Sequence, residues 1–105
     1  MNRNPVNWLA AFLIALVMGA STAVSADASQ GQKLATDWCS ACHFVNGTGQ
    51  ASDSVPSFGQ MASPATYPDA RLRGWLHAPH PPMPDLTLSR YDIDNIIAYI
   101  RTLGR

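Results

Sequence analysis

The stretch WCSACHF, residues 38–44, decides the fold of this chain. Its two cysteines, Cys39 and Cys42, stand three positions apart, and His43 directly follows the second. Three kinds of site use such an arrangement: a redox dithiol, half of a zinc site, and a covalent haem attachment. The residues around the motif must therefore distinguish between them.

The N-terminus has the order of regions that is typical of a secretory signal peptide. Arg3 supplies a positive charge, residues 8–18 are apolar, and small residues fill positions 23–26. The apolar run is shorter than the roughly 20 residues that a membrane-spanning helix requires. We expect a signal peptide over residues 1–26 that is cleaved after Ala26, and a periplasmic domain over residues 27–105 with no stable membrane span. An uncleaved N-terminal membrane anchor is the alternative.

The predicted mature domain is small and nearly neutral. It has 79 of the chain's 105 residues, with six basic and seven acidic side chains and a net charge of −1. No basic stripe predicts binding to nucleic acid or to an anionic membrane surface. A core of this size provides only a few kcal/mol of stability, and a Cys39–Cys42 disulfide would close too short a loop to add much. A further stabilising element is therefore expected.

Helical periodicity dominates the rest of the chain. It predicts three helices, over residues 28–42, 68–76 and 89–103, and a single helical turn over residues 57–62. The motif's two thiols and its imidazole would share one face of the first helix, and Ser89 with Asp92 forms a capping-box pattern at the start of the last. Residues 77–86, HAPHPPMPDL, include four prolines and are predicted to form a stiff loop. Because no alternating strand pattern occurs, the predicted fold class is all-α.

The surroundings of the motif favour haem attachment over the two other sites. A redox dithiol usually follows a strand of a βαβ unit, and no such strand is predicted. A structural zinc ion needs four protein ligands, and His77 and His80 are too loosely spaced to complete that set. Two thiols at this spacing can instead add to two vinyl groups of one porphyrin, while the following histidine binds the iron.

Further motifs resemble those of the class I c-type cytochromes over residues 31–103. The resembling segments are Gly31, CSACH at 39–43, VPSF at 55–58, LRGWL at 72–76, MP at 83–84 and IIAYIRTL at 96–103. The resemblance implies a cytochrome c-like fold of three to four short helices wrapped around one covalently bound haem c. It also implies single-electron transfer rather than enzymatic turnover, so no catalytic residue is assigned.

The resemblance also assigns the attachment and proximal residues. Cys39 and Cys42 are expected to hold the haem through thioether bonds, and His43 is expected to bind the iron. Pro56 matches the family's proline whose carbonyl accepts a hydrogen bond from this imidazole and orients it. A loop proline without such a role is the alternative for Pro56.

The sixth ligand of the iron determines whether small molecules can bind there. Met83 is the candidate that the resemblance favours, since it lies in the proline-rich segment before the last helix. Met61 is a competing thioether, although a methionine more commonly packs in a core. His77 and His80 are the remaining alternatives.

Residues within the predicted helix at 68–76 suggest contacts to a haem carboxylate. The indole N–H of Trp75 is expected to donate to it, with core packing as the alternative. Arg71 or Arg73 could pair with the same carboxylate, with a solvated surface position as the alternative. Gly31 and Tyr99 resemble a crossing of the terminal helices, at which the missing Cβ allows the aromatic ring to approach.

Together these features predict a periplasmic monohaem cytochrome, a monomer that exchanges single electrons with redox proteins through transient contacts. A haem-based gas-binding or sensor protein with a labile sixth ligand is one alternative. A thiol oxidoreductase is another. The third is a cytochrome subunit of a larger dehydrogenase or oxidase complex.

Overall fold

The computed structural model describes Gly19 and residues 25–49 and 55–104, and within them the chain is all-helical. The helices are α1 (Ala28–Leu34), a π-helical turn that continues it (Ala35–Cys39), α2 (Phe58–Met61), α3 (Asp69–His77) and α4 (Arg90–Thr102). No strand occurs among the described residues, which confirms the predicted fold class. None of the described helices is long and apolar enough to cross a bilayer. The predicted signal peptide, residues 1–26, lies outside the described residues except at positions 19, 25 and 26.

Helix α1 is shorter than predicted because it passes into a π-helical turn. Asp27 caps its start and accepts hydrogen bonds from the backbone N–H groups of Ser29 and Gln30. Farther along, the hydroxyls of Thr36 and Ser40 donate to carbonyls four residues earlier. Such side-chain bonds compete with the backbone ladder and bend helices, so the regular α-helix does not continue to residue 42.

The π-helical turn changes which side chains of the motif reach the core. Ala35 and Cys39 are buried, whereas Trp38 is 61% exposed and Cys42 is also exposed. Cys42 lies in the turn after the helix, where the His43 N–H donates to the Cys39 carbonyl at 2.9 Å. The predicted helix over residues 28–42 is therefore too long, because Cys42 and His43 follow the helical residues in a turn.

Capping residues set the starts of the later helices. Ser57 and Gln60 form a capping box at α2, and Ser89 and Asp92 form the predicted one at α4. Pro68 is the N-cap of α3, so this helix begins one residue later than predicted. Helix α3 ends just before the proline-rich loop, because proline has no backbone N–H to continue the helical hydrogen bonds.

Helices α1 and α4 pack with their backbones in contact. A Cβ built on Gly31 would lie 1.9 Å from the Asn95 carbonyl oxygen and 3.0 Å from the Ile96 nitrogen. Only glycine permits this approach. The expected crossing is present, and the atoms nearest to the missing Cβ belong to the α4 backbone at Asn95 and Ile96. The Tyr99 hydroxyl donates to the Val45 carbonyl at 2.7 Å, which ties α4 to the segment after the motif.

One face of α4 forms much of the apolar core. Its buried apolar and aromatic members are Ile93, Ile96, Ile97, Tyr99 and Ile100. Arg101, beside this face, pairs with the Asp69 carboxylate and donates to the carbonyls of Met61 at 3.1 Å, Ala62 at 3.2 Å and Tyr67 at 2.6 Å. These bonds fix α4 against the connection between α2 and α3.

Candidate haem site

A cavity of about 390 Å³ lies between the motif, the proline-rich loop and helices α2, α3 and α4. Its volume is in the range of small-molecule and cofactor sites. None of the described residues that line it is Asp, Glu, Lys or Arg, so the local dielectric constant is low. The six residues predicted to contact haem all line this cavity: Cys39, Cys42, His43, Pro56, Trp75 and Met83.

The His43 imidazole is oriented by one backbone oxygen. Its Nδ1 lies 2.7 Å from the Pro56 carbonyl oxygen. Because a carbonyl can only accept, Nδ1 carries the proton and Nε2 keeps its lone pair. The ring of Phe58 lies beside the imidazole, with centroids 5.8 Å apart. Nε2 is thus the nitrogen that can bind a metal, and the ring that carries it is held at its other nitrogen.

Helix α2 holds the segment that follows the motif. The backbone N–H of Phe58 donates to the Phe44 carbonyl at 2.9 Å, and that of Gly59 donates to the Gly47 carbonyl at 2.8 Å. A Cβ on Gly59 would lie 2.5 Å from the carbonyl carbon of Gly47, so the two backbones pack without room for a side chain. These contacts bring the segment before α2, which includes Pro56, alongside His43.

The two thiols lie in different environments. Cys39 is 7% exposed, and burial raises the pKa of its thiol to about 11. At neutral pH this thiol is therefore protonated, whereas a reactive redox cysteine normally has a lowered pKa. Cys42 is exposed, and both cysteines are free thiols. This environment does not favour the dithiol oxidoreductase.

Met83 lies in the loop between α3 and α4. Its backbone N–H donates to the His80 carbonyl at 3.0 Å, and its half-buried side chain lines the cavity. Met61 also lines the cavity from α2 and is 6% exposed, as expected of a core methionine. His80 lines the same cavity, whereas His77 is not among its lining residues. One thioether is thus on a loop and the other is packed in the core.

The two arginines of α3 differ in what they contact. Arg73 forms an ion pair with Asp94 of α4. The guanidinium carbon of Arg71 lies 4.7 Å from the centroid of the Trp75 ring, which itself lines the cavity. Of the two arginines, Arg71 is therefore the one associated with the cavity wall.

The donor set suits haem c. Two free thiols can form thioethers with vinyl groups, and an imidazole nitrogen and a thioether sulfur are ligands that haem iron takes in cytochromes c. The apolar walls suit a porphyrin ring, and the indole of Trp75 offers one donor to a carboxylate. Among the described residues, no three His, Cys, Asp or Glu side chains come together as a separate metal site.

Fold and site together are those of a c-type cytochrome. The family model of cytochrome c matches residues 28–104, and the chain belongs to this family as a class I c-type cytochrome. It is similar to cytochrome c-552 of Bradyrhizobium diazoefficiens, with 41% identity over 92 residues that cover 87% of this chain and 88% of that protein. No solved structure matches the chain significantly. Membership of the family implies covalently bound haem and a role in electron transport.

Some residues of the site were not found from the sequence. Leu72 and Ile100 line the cavity, although helical periodicity indicated only that they face a core. The stacking of Arg71 on Trp75 was also missed. Their spacing of four residues on one helix was the available signal, since residues i and i+4 are neighbours on a helix surface.

Proposed function

We propose that the mature chain, residues 27–105, is a periplasmic monohaem cytochrome that carries single electrons between redox proteins. In this proposal Cys39 and Cys42 attach one haem c, and His43 and Met83 are the axial ligands of its iron. The observation that carries the proposal is the convergence of these four side chains on one cavity, whose described lining residues include no Asp, Glu, Lys or Arg. Membership of the cytochrome c family supports electron transport independently.

Haem iron, when bound, supplies a reversible one-electron couple. The chain's contribution begins at His43, whose Nδ1 proton is held by the Pro56 carbonyl. This hydrogen bond prevents rotation of the ring and makes Nε2 a stronger donor. A thioether from Met83 raises the reduction potential. If His43 and Met83 both bind the iron, the chain would leave no position for a small molecule, which would distinguish a carrier from a sensor.

The cavity walls act on the same couple. Leu72, Ile100 and Phe58 are buried apolar side chains of the cavity wall, and none of them carries a charge. A low dielectric constant disfavours the additional positive charge of the oxidised state and so favours reduction. The haem would also add apolar surface to the small core of a domain of 79 residues.

The sequence and the family support the proposed location and partners. The charged, apolar and small regions of residues 1–26 support export with cleavage after Ala26. A carrier of this size would meet its redox partners as a monomer, through a small transient interface. We expect no enzymatic activity and no binding to nucleic acid.

A redox titration of the purified protein tests this function. We expect a reversible one-electron curve, low-spin visible spectra in both oxidation states, and haem that stays with the denatured polypeptide. The variant with Cys39→Ser and Cys42→Ser should lose covalent haem and be largely unfolded by circular dichroism. A well-folded apoprotein of that variant would contradict the structural part of the proposal.

Ready binding of carbon monoxide by the ferrous wild type would favour the haem-based sensor. A stoichiometric complex in native extract would favour the subunit of a larger complex.

A further inference from the structure

The guanidinium of Arg71 lies over two neighbouring aromatic rings, one before helix α3 and one within it. Tyr67, Arg71 and Trp75 follow one another at intervals of four residues. The guanidinium carbon of Arg71 is 5.0 Å from the centroid of the Tyr67 ring and 4.7 Å from that of Trp75. The two rings are 6.4 Å apart at an interplanar angle of 70°. Both distances from the cation are within the range of cation–π attraction.

In this stack of Arg71 against the rings of Tyr67 and Trp75, Tyr67 and Arg71 are held by hydrogen bonds to the backbone. Arg71 Nη1 donates to the Thr66 carbonyl at 3.0 Å. The Tyr67 carbonyl accepts from Arg101 Nη2 at 2.6 Å, and its N–H donates to the Ser63 carbonyl at 2.8 Å. Tyr67 and the guanidinium therefore have fixed positions, against which the indole of Trp75 rests.

Trp75 joins this aromatic group to the cavity. It is 37% exposed, and it contacts the ring of Tyr67 and the guanidinium of Arg71. Trp75 also lines the cavity, so the cation lies over a ring that borders the proposed haem site.

We propose that Arg71 is a positioning residue, which holds the indole of Trp75 against the haem cavity and keeps its N–H available to a haem carboxylate. This inference rests on the proposed haem-binding role of Trp75. Arg71 is suited to it because a guanidinium is planar and stacks on aromatic rings, whereas a lysine ammonium is a point charge on a flexible stem. Its charge also favours the reduced iron.

Three holoprotein variants separate the stacking of Arg71 from its charge. Arg71→Met removes both, Arg71→Lys keeps the charge, and Arg73→Met removes a charge from the same helix without affecting the stack. The measurement is the solvent-exchange rate of the Trp75 indole N–H, by NMR of the reduced protein, with Trp75→Phe to assign the resonance. Midpoint potentials are recorded in parallel.

We expect exchange about tenfold faster in Arg71→Met than in the wild type, an intermediate rate in Arg71→Lys, and the wild-type rate in Arg73→Met. Arg71→Met should also lower the midpoint potential, whereas Arg71→Lys should keep it closer to the wild type. An unchanged rate in Arg71→Met, or an equal change in Arg73→Met, would overturn the inference. If this happened in a protein with a normal spectrum and one-electron titration, electron carriage would stand and the role of Arg71 would not.

Discussion

Replacing Gly31 with alanine should destabilise the holoprotein by about 2 kcal/mol. The new Cβ would lie 1.9 Å from the Asn95 carbonyl oxygen, whereas real Cβ contacts are essentially never under 3.0 Å. Helices α1 and α4 must therefore separate by roughly 1 Å at this point, which also strains the 2.7 Å bond from the Asp27 N–H to the Asn95 side chain. Overpacking of this kind costs about 3 kcal/mol, and the gain in helix propensity returns about 1 kcal/mol.

Gly74→Ala is the matched control. Gly74 is inside helix α3, and a Cβ there would meet nothing within 4 Å. Both variants gain the same helix propensity, so Gly74→Ala should stabilise the protein by about 1 kcal/mol. The difference between the two variants, about 3 kcal/mol, then measures the steric cost alone.

Equilibrium unfolding in urea, followed by far-UV circular dichroism of the oxidised holoprotein, measures both free energies. The denaturant slope should be the same in all three proteins, since the surface exposed on unfolding hardly changes. A Gly31→Ala variant as stable as the wild type, or one that shifts as Gly74→Ala does, would refute the close crossing of α1 and α4.

Three further changes test the fold. Thr87 has a φ of 53°, a left-handed conformation that is unfavourable for a β-branched residue. Thr87→Gly should therefore raise the free energy of unfolding by about 0.5–1 kcal/mol. A lower urea midpoint in this variant would argue against backbone strain at Thr87. Arg101→Met leaves three backbone carbonyls without their donor and should lower the free energy of unfolding by about 2–3 kcal/mol in the same assay. An unchanged free energy of unfolding would show that water replaces the guanidinium as donor. Burial raises the pKa of Tyr99, so the protonated hydroxyl contributes stability below the ordinary tyrosine pKa near 10, and this stability is lost as the pH rises through the higher folded pKa. Tyr99→Phe should remove this part of the alkaline loss of stability and cost about 1 kcal/mol at neutral pH. An unchanged dependence of stability on pH would contradict the raised pKa of Tyr99.

The sequence predicted much of the candidate site because its chemistry is local. Cys39, Cys42 and His43 are adjacent in the chain, so their association does not depend on how distant segments pack. Met83 and Trp75 could be proposed only through the spacing of the family, yet both line the same cavity as the motif. The bond between His43 and the Pro56 carbonyl was expected in the same way and is 2.7 Å long.

Features that depend on competing local bonds or on tertiary packing were not predictable. The π-helical turn follows from hydroxyls that bond to backbone carbonyls, which periodicity does not reveal. Sequence also left Arg71 and Arg73 equivalent, because both are exposed arginines on α3. The two arginines differ only once α4 has packed against α3, since Arg73 then pairs with Asp94 and Arg71 contacts the ring of Trp75.

The ligation of the iron by Met83 is the central claim, and the oxidised visible spectrum of three proteins tests it most directly. The wild type should show the weak charge-transfer band between methionine sulfur and ferric iron. Met83→Ala should lose this band and have a lower potential. Met61→Leu keeps the size of a buried side chain and should retain the band. An unchanged band in Met83→Ala, or its loss in Met61→Leu, would contradict the account.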